Sequence, residues 1–130
     1  MRMCLYVLMP ASAIQSLPVE PVTELFRALG DATRVRIVAL LAHGELCVCH
    51  LQQALALTQP NVSQHLTVLK NTGVVESRRM GSWVHYRLAR QADDQRRKQL
   101  QALVRAFSNR RVLREDVERL LKKRGPGACK

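Results

Sequence analysis

The stretch Thr58-Gln59-Pro60-Asn61-Val62-Ser63-Gln64-His65-Leu66-Thr67-Val68-Leu69-Lys70-Asn71-Thr72-Gly73 decides how this chain folds. Thr58 is a residue type that caps helices, Pro60 is tolerated in a first turn, and Gly73 is suited to the C′ position. Between them Val62, Leu66 and Leu69 recur at helical spacing and predict one buried face. The opposite face reads Asn61, Ser63, Gln64, Thr67, Lys70 and Asn71, side chains that donate and accept hydrogen bonds with almost no formal charge. A merely solvated face usually collects Glu and Lys pairs, so this composition is mildly unusual for one.

Working outward, a short helix is predicted over residues 47–56, with Val48, Leu51 and Leu55 on one face, ahead of the longer helix at 58–72. Two short helices joined by a tight turn form a helix-turn-helix. After Gly73 the apolar period changes from 3.6 to two. Val75 to Arg79 and Trp83 to Leu88 flank Met80-Gly81-Ser82, which predicts a β-hairpin with glycine in its turn. A basic hairpin behind a helix-turn-helix is a wing.

Upstream, Val22, Leu25, Phe26 and Leu29 predict an amphipathic first helix stopped by Gly30. Asp31 is placed to cap a second helix carrying Val35, Ile37, Val38, Leu40 and Leu41, which Gly44 ends. Residues 91–124 read as helical with a break near Ser108-Asn109; Leu100, Leu103, Val104 and Phe107 form one stripe and Leu113, Val117, Leu120 and Leu121 another. The expected fold class is mainly α with a small β-hairpin, a winged helix-turn-helix. Residues 1–18 are expected to form an N-terminal arm, 19–124 the DNA-binding and dimerisation domain, and 125–130 a C-terminal tail.

The charge points the same way. The chain of 130 residues carries 21 Lys and Arg against 10 Asp and Glu, a net charge of +11. Residues 1–75 contribute only +1 of that, and residues 76–130 contribute +10. Such an excess draws polyanions, nucleic acid first and an acidic membrane surface second. Recognition helices read base edges with Gln, Asn and Ser near their N-terminal end. Here Gln59, Asn61, Ser63, Gln64, His65, Thr67 and Lys70 are the candidates, and Arg78 and Arg79 of the wing are candidates for phosphates or the minor groove. Arg2, the apolar run Met3 to Met9 and Ala11-Ser12-Ala13 faintly imitate a signal peptide, but the basic region is one arginine and the apolar run is short. No run of eighteen apolar residues spans a membrane, and a cytoplasmic protein is expected.

Four cysteines stand at 4, 47, 49 and 129. A Cys-x-Cys pair favours metal or redox chemistry over a structural staple. On a regular helix residues two apart diverge by ~200° around the axis. One soft ion could hold Cys47 and Cys49 together only if the helix start unwinds, or if the pair precedes the regular helix. Thiolates favour As(III), Sb(III), Cd(II), Pb(II) and Zn(II). Three sulfurs suit trigonal As(III), so Cys4 and Cys129, from the same chain or a partner, are candidates for the third. His50 is a possible borderline ligand, though a surface role suits it better. No organic cofactor is expected.

These residues resemble the ArsR/SmtB family of winged-helix repressors, which release DNA when a metal binds. The resemblance runs from about Glu24 to Leu88 and is carried by Leu29-Gly30-Asp31-Ala32-Thr33-Arg34, Glu45-Leu46-Cys47-Val48-Cys49, Gln59 to Leu66 and Gly81 to Leu88. The last two segments are similar to the arsenic-responsive branch. The resemblance implies a homodimer built through the first and last helices, bound to a palindromic operator of double-stranded DNA, with Cys47 and Cys49 as two metal thiolates. That branch often has Cys where this chain has Gln52, and Asp where it has His50. A cadmium- and lead-sensing branch pairs the same motif with cysteines of the partner's arm, as Cys4 could do. Residues 91–130 hold no His, so the C-terminal zinc site of other members is not expected. The function expected is therefore repression relieved by As(III) or Sb(III), and no enzyme activity. Three alternatives remain open: a redox or sulfide switch on the same thiols, a thiol enzyme exchanging disulfides, and a constitutive DNA-architecture protein.

Overall fold

A computed structural model describes residues 20–91 and 94–123. Among the described residues six helices and three short strands follow one another as α1 Glu20–Leu29, α2 Ala32–Leu41, β1 Leu46–Cys47, α3 Val48–Leu55, α4 Gln59–Asn71, β2 Val75–Met80, β3 Trp83–Leu88, α5 Asp94–Phe107 and α6 Arg111–Lys123. The expected arms at 1–18 and 125–130, with Cys4 and Cys129, lie outside the described residues.

Local chemistry explains most of the boundaries. Asp31 is extended, and its carboxylate accepts from the backbone N–H of Thr33 at 2.8 Å and of Arg34 at 3.2 Å, satisfying two orphan donors of α2. Burial raises the Asp31 pKa, but those N–H groups and the neighbouring His65 and Arg34 outweigh it and hold the carboxyl below its ordinary value. Thr58 occupies the cap position of α4, but its side chain makes no capping hydrogen bond. Gly73, at φ 74°, ends α4 with Val74 N–H donating to Leu69 C=O at 2.9 Å and Gly73 N–H to Lys70 C=O at 3.0 Å. This is the left-handed C-terminal turn that glycine makes without a Cβ penalty. The break between α5 and α6 falls at residues 108–110.

Two expectations are corrected. The chain forms a third strand: Leu46–Cys47 pairs antiparallel with β3, giving the sheet order β1-β3-β2. Cys47 is therefore extended, at φ −77° and ψ 157°, and holds the cap position of α3, without a side-chain capping hydrogen bond, rather than belonging to the helix. The apolar stripes of the first and last helices are also wider than the surface they cover. Leu25 and Leu120 are buried, whereas Val22, Phe26, Val112 and Leu121 are exposed.

The core gathers α2, α3 and α4 against the base of the hairpin. Ile37, Leu51, Val62, Leu66, Leu69 and Val74 are fully buried within it. Truncating such a leucine to alanine costs about 2–5 kcal/mol. Helix α6 closes the far side of α3 through a buried carboxylate. Asp116 accepts from Arg36 Nε and Nη2, both at 2.7 Å, and from Arg119 Nη2. The same arginines reach the last turn of α3: Arg119 Nε donates to Ala54 C=O at 2.7 Å and Arg36 Nη2 to Leu55 C=O at 3.2 Å. Two of the orphan carbonyls of α3 are thus satisfied by charged donors.

Candidate functional site

The polar face of α4 is open. Gln59, Asn61, Gln64, Thr67 and Lys70 are exposed, Ser63 is half-buried, and Val62, Leu66 and Leu69 turn inward. Thr67 donates its hydroxyl to Ser63 C=O at 2.9 Å, which fixes its rotamer along the helix. His65 belongs to the flank instead. Its Nδ1 lies 3.2 Å from Arg34 Nη1 and 3.9 Å from the Asp31 carboxylate. Arg34 also donates through Nε to Ala28 C=O at 2.5 Å, so this cluster ties α4 to the α1–α2 junction. The structure thus separates His65, which has a tethering contact, from the residues that face outward.

Arg78 and Arg79 are both exposed, and Arg78 meets an acid. Its Nε and Nη2 meet the two oxygens of Glu45 at 2.7 and 2.6 Å. This bidentate pair holds the Glu45 carboxyl below its ordinary value and raises Arg78 above its own. Glu45 stands two residues before Cys47 and had no role in the sequence reading.

Across the sheet one row joins the wing to the thiols. Cys47 lies opposite His85 in the β1–β3 pairing, and His85 lies opposite Arg78 in the β3–β2 pairing. Directly opposed residues of antiparallel strands project to the same face. The Cys47 sulfur is therefore anchored in the winged sheet, while Cys49 sits in the first turn of α3.

The bend between strand and helix removes the divergence that a regular helix would impose. The Cα atoms of Cys47 and Cys49 lie 5.4 Å apart and their sulfurs are joined as a disulfide. Cys47 is 1% exposed, and Cys49 and His50 are half-buried. The two sulfurs and a ring nitrogen of His50 all lie within 4.8 Å of one another. In the reduced state this set fits a soft or borderline cation: two thiols, an imidazole and the N-terminal end of a helix, which favours thiolate. His50, for which the sequence favours a surface role, is half-buried and within reach of both sulfurs. A cap residue and the residue three further on face each other in the first helical turn, so Cys47 and His50 carry the spacing of a capping box. That signal appears only once Cys47 is known to be the cap. Among the described residues no helix is long and apolar enough to cross a membrane.

Known proteins share these features. Residues 31–77 match the model of the bacterial regulatory proteins of the arsR family. The arsenical resistance operon repressor of Escherichia coli (strain K12) is 51% identical over 67 residues, which are 51% of this chain and 57% of that protein. The chain thus spans little more than half the length of that relative. A cadmium resistance transcriptional regulatory protein CadC homolog of Staphylococcus aureus is 40% identical over 91 residues, 69% of this chain and 70% of that one. Among solved structures, a homodimeric winged helix-turn-helix DNA-binding domain of Mycobacterium bovis superposes with a TM-score of 0.55 at 28% identity, covering 77% of this chain and 83% of that one. With its capped second helix, its cysteine-bearing third helix, its polar fourth helix and its wing, this chain belongs to the ArsR family of transcriptional regulators.

Proposed function

We propose that this chain is a cytoplasmic repressor that binds an operator in double-stranded DNA as a homodimer and leaves it when Cys47 and Cys49 take up As(III) or Sb(III). One observation carries the reading: Cys47 is at once a thiol of the pair and a strand partner of the wing. Capture of an ion there changes the geometry of the strand-to-helix bend that supports both DNA-contacting elements. Gln59, Asn61, Ser63, Gln64 and Thr67 would read bases, Lys70, Arg78 and Arg79 would meet phosphates, and His65 would hold α4 in place. The exposed Phe26 and Val22 of α1, with the exposed Val112 and Leu121 of α6, support apolar faces for a dimer. Cys4 in an arm at 1–18 and Cys129 in a tail at 125–130 supply further thiols to the same ion, and Cd(II), Pb(II) and Zn(II) belong to the same class of inducer.

A second reading is favoured by the joined sulfurs: oxidation of the pair by a two-electron oxidant, or by a polysulfide, is the signal. One experiment separates the two. Reduced protein is bound to its operator and titrated with arsenite, then with hydrogen peroxide or polysulfide, with release followed by fluorescence anisotropy. Release by arsenite that is lost in a Cys47→Ser/Cys49→Ser variant supports the ion reading. Release by oxidant alone supports the redox reading, and equal release of the double variant by arsenite refutes both.

A further inference from the structure

The tip of the wing is apolar and exposed. Met80 and Trp83 oppose each other across the β2–β3 pairing, on either side of the Gly81-Ser82 turn, and remain 47% and 36% exposed. Directly opposed residues share a face, so the two side chains form one patch at the end of the hairpin. Gly81, at φ 62°, keeps the turn tight. A Cβ placed on it would meet no atom within 4 Å beyond its chain neighbours, so the turn stands clear of the domain. Arg78 and Arg79 lie directly behind Met80 on the same strand. Water is a poor partner for such a patch, and the arginines beside it mark a polyanion as its neighbour. Resting on the DNA-binding reading above, we propose that Met80 and Trp83 form an apolar wedge that enters the minor groove beside the bases read by α4, opens one base step and bends the operator.

Dimensions set what entry requires. Paired strands lie about 4.8 Å apart, so a tip carrying a Met and an indole across both strands is wider than a minor groove of about 6 Å. Entry therefore widens the groove, and an apolar side chain driven between base pairs unstacks the step and kinks the duplex toward the major groove. Contacts with sugars and base faces carry no sequence code, but the cost of the kink does. It is low at pyrimidine–purine steps and high in stiff A-tracts. The wedge thus reads deformability in a groove that α4 does not enter. A second copy of the chain is a poorer occupant, because pairing tip to tip sets the arginines of one wing against those of the other.

Trp83 is the single tryptophan of the chain, so its emission reports the tip alone. The test uses the full reduced chain on a duplex carrying its operator, recovered by selection from random-sequence DNA and labelled at both ends with a dye pair. Binding is expected to shield Trp83 from acrylamide and to raise energy transfer between the duplex ends. These two readings need only the parent chain, whether or not a variant folds. Met80→Ser should weaken operator binding about tenfold with the salt slope unchanged, since no charge is lost. Arg79→Ala should instead lower that slope by about one unit. Met80→Leu, which keeps the apolar bulk, should retain both affinity and bend. Exchanging the pyrimidine–purine steps that flank the half-sites for A-tracts should weaken the parent about tenfold and Met80→Ser by less than about threefold. Trp83 equally open to acrylamide in free and bound protein overturns the wedge and leaves DNA binding standing. A shielded Trp83 on a duplex whose ends do not approach does the same. Shielding that rises with protein concentration in the absence of DNA assigns the tip to a second copy and also overturns the wedge. A selection that returns no preferred sequence overturns the DNA reading on which the wedge rests.

Discussion

Cys47 lies opposite His85 across the β1–β3 pairing, so a residue of the thiol pair is also a strand partner of the wing. Any ion that pulls the Cys47 sulfur toward Cys49 therefore works against the same backbone that holds Trp83 to Leu88 in register. The expected result is a change in amide exchange at His85 and Tyr86, and in Trp83 fluorescence, when Cd(II) or arsenite is added to reduced protein. Coupling of ~1–3 kcal/mol, a loss of roughly 5–150-fold in operator affinity, is the size expected for linked sites. Exchange at these amides that is blind to ligand would break the proposed link.

The Glu45–Arg78 pair predicts a gain of function. Glu45→Gln removes the carboxylate that occupies Arg78 and leaves its guanidinium to a phosphate. Operator affinity should rise a few-fold, and the slope of log K against log salt should steepen by about one unit. The pair also has a defined pH behaviour. Glu45 titrates below its ordinary value of 4.5 in the folded protein, because Arg78 hydrogen-bonds its charged form. A depressed carboxylate favours folding above its unfolded pKa, and that contribution fades as pH falls through the folded value. Arg78 side-chain resonances should therefore move only below pH 4.5, and not at all in the Glu45→Gln variant.

Base reading and phosphate holding should separate by variant. Asn61→Ala and Gln64→Ala are expected to cost about 1–3 kcal/mol on the operator and little on random DNA. Lys70→Ala should weaken both alike and lower the salt slope by about one unit. Equal losses on both DNAs for Gln64→Ala would remove it from the set of base readers.

Asp116 is fully buried between Arg36 and Arg119, whose side chains are 19% and 38% exposed. Deleting one partner of a buried ion pair costs about 3–5 kcal/mol, and the solvent contact of the arginines puts Asp116→Ala at the low end, about 3 kcal/mol. Urea unfolding should show this as a lower midpoint. A loss below about 0.5 kcal/mol would mean that α6 does not anchor α3.

The turn between α3 and α4 holds a residue in the left-handed region. Ala56 sits at φ 56° and ψ 42°, where its N–H donates to Gln53 C=O and Leu57 N–H donates to Gln52 C=O. An L-residue pays about 1–2 kcal/mol there, partly offset by the greater unfolded-state entropy of glycine. Ala56→Gly should stabilise the fold by about 0.5–1 kcal/mol, read from thermal unfolding, with operator binding retained.

The recognition helix was legible because its start, stop and apolar face are all written locally between Thr58 and Gly73. The hairpin was legible for the same reason, with Gly81 at φ 62° between alternating strands. Strand β1 was not. Two residues carry no periodicity, and Leu46–Cys47 is extended because Tyr86 and His85 pair with it from 40 and 38 positions away. That single miss hid the cap at Cys47 and, with it, the approach of His50. The contacts of Glu45 with Arg78 and of Arg34 with His65 span 33 and 31 positions, and no local pattern announces them.

Fastened at its C-terminal end by two guanidiniums and joined to the sheet at its sulfur-bearing end, α3 has the mechanics of a lever. Its eight residues measure about 12 Å, so moving the Cys47 end by about 1 Å turns the helix by about 5° around Ala54 and Leu55. The thirteen residues of α4 extend about 20 Å beyond that pivot, and the same rotation carries its far end by about 1.7 Å. Hydrogen bonds to base edges tolerate only about 0.5 Å of such travel. On the proposed reading, a displacement no larger than one ion's coordination sphere would be enough to lift α4 off a groove.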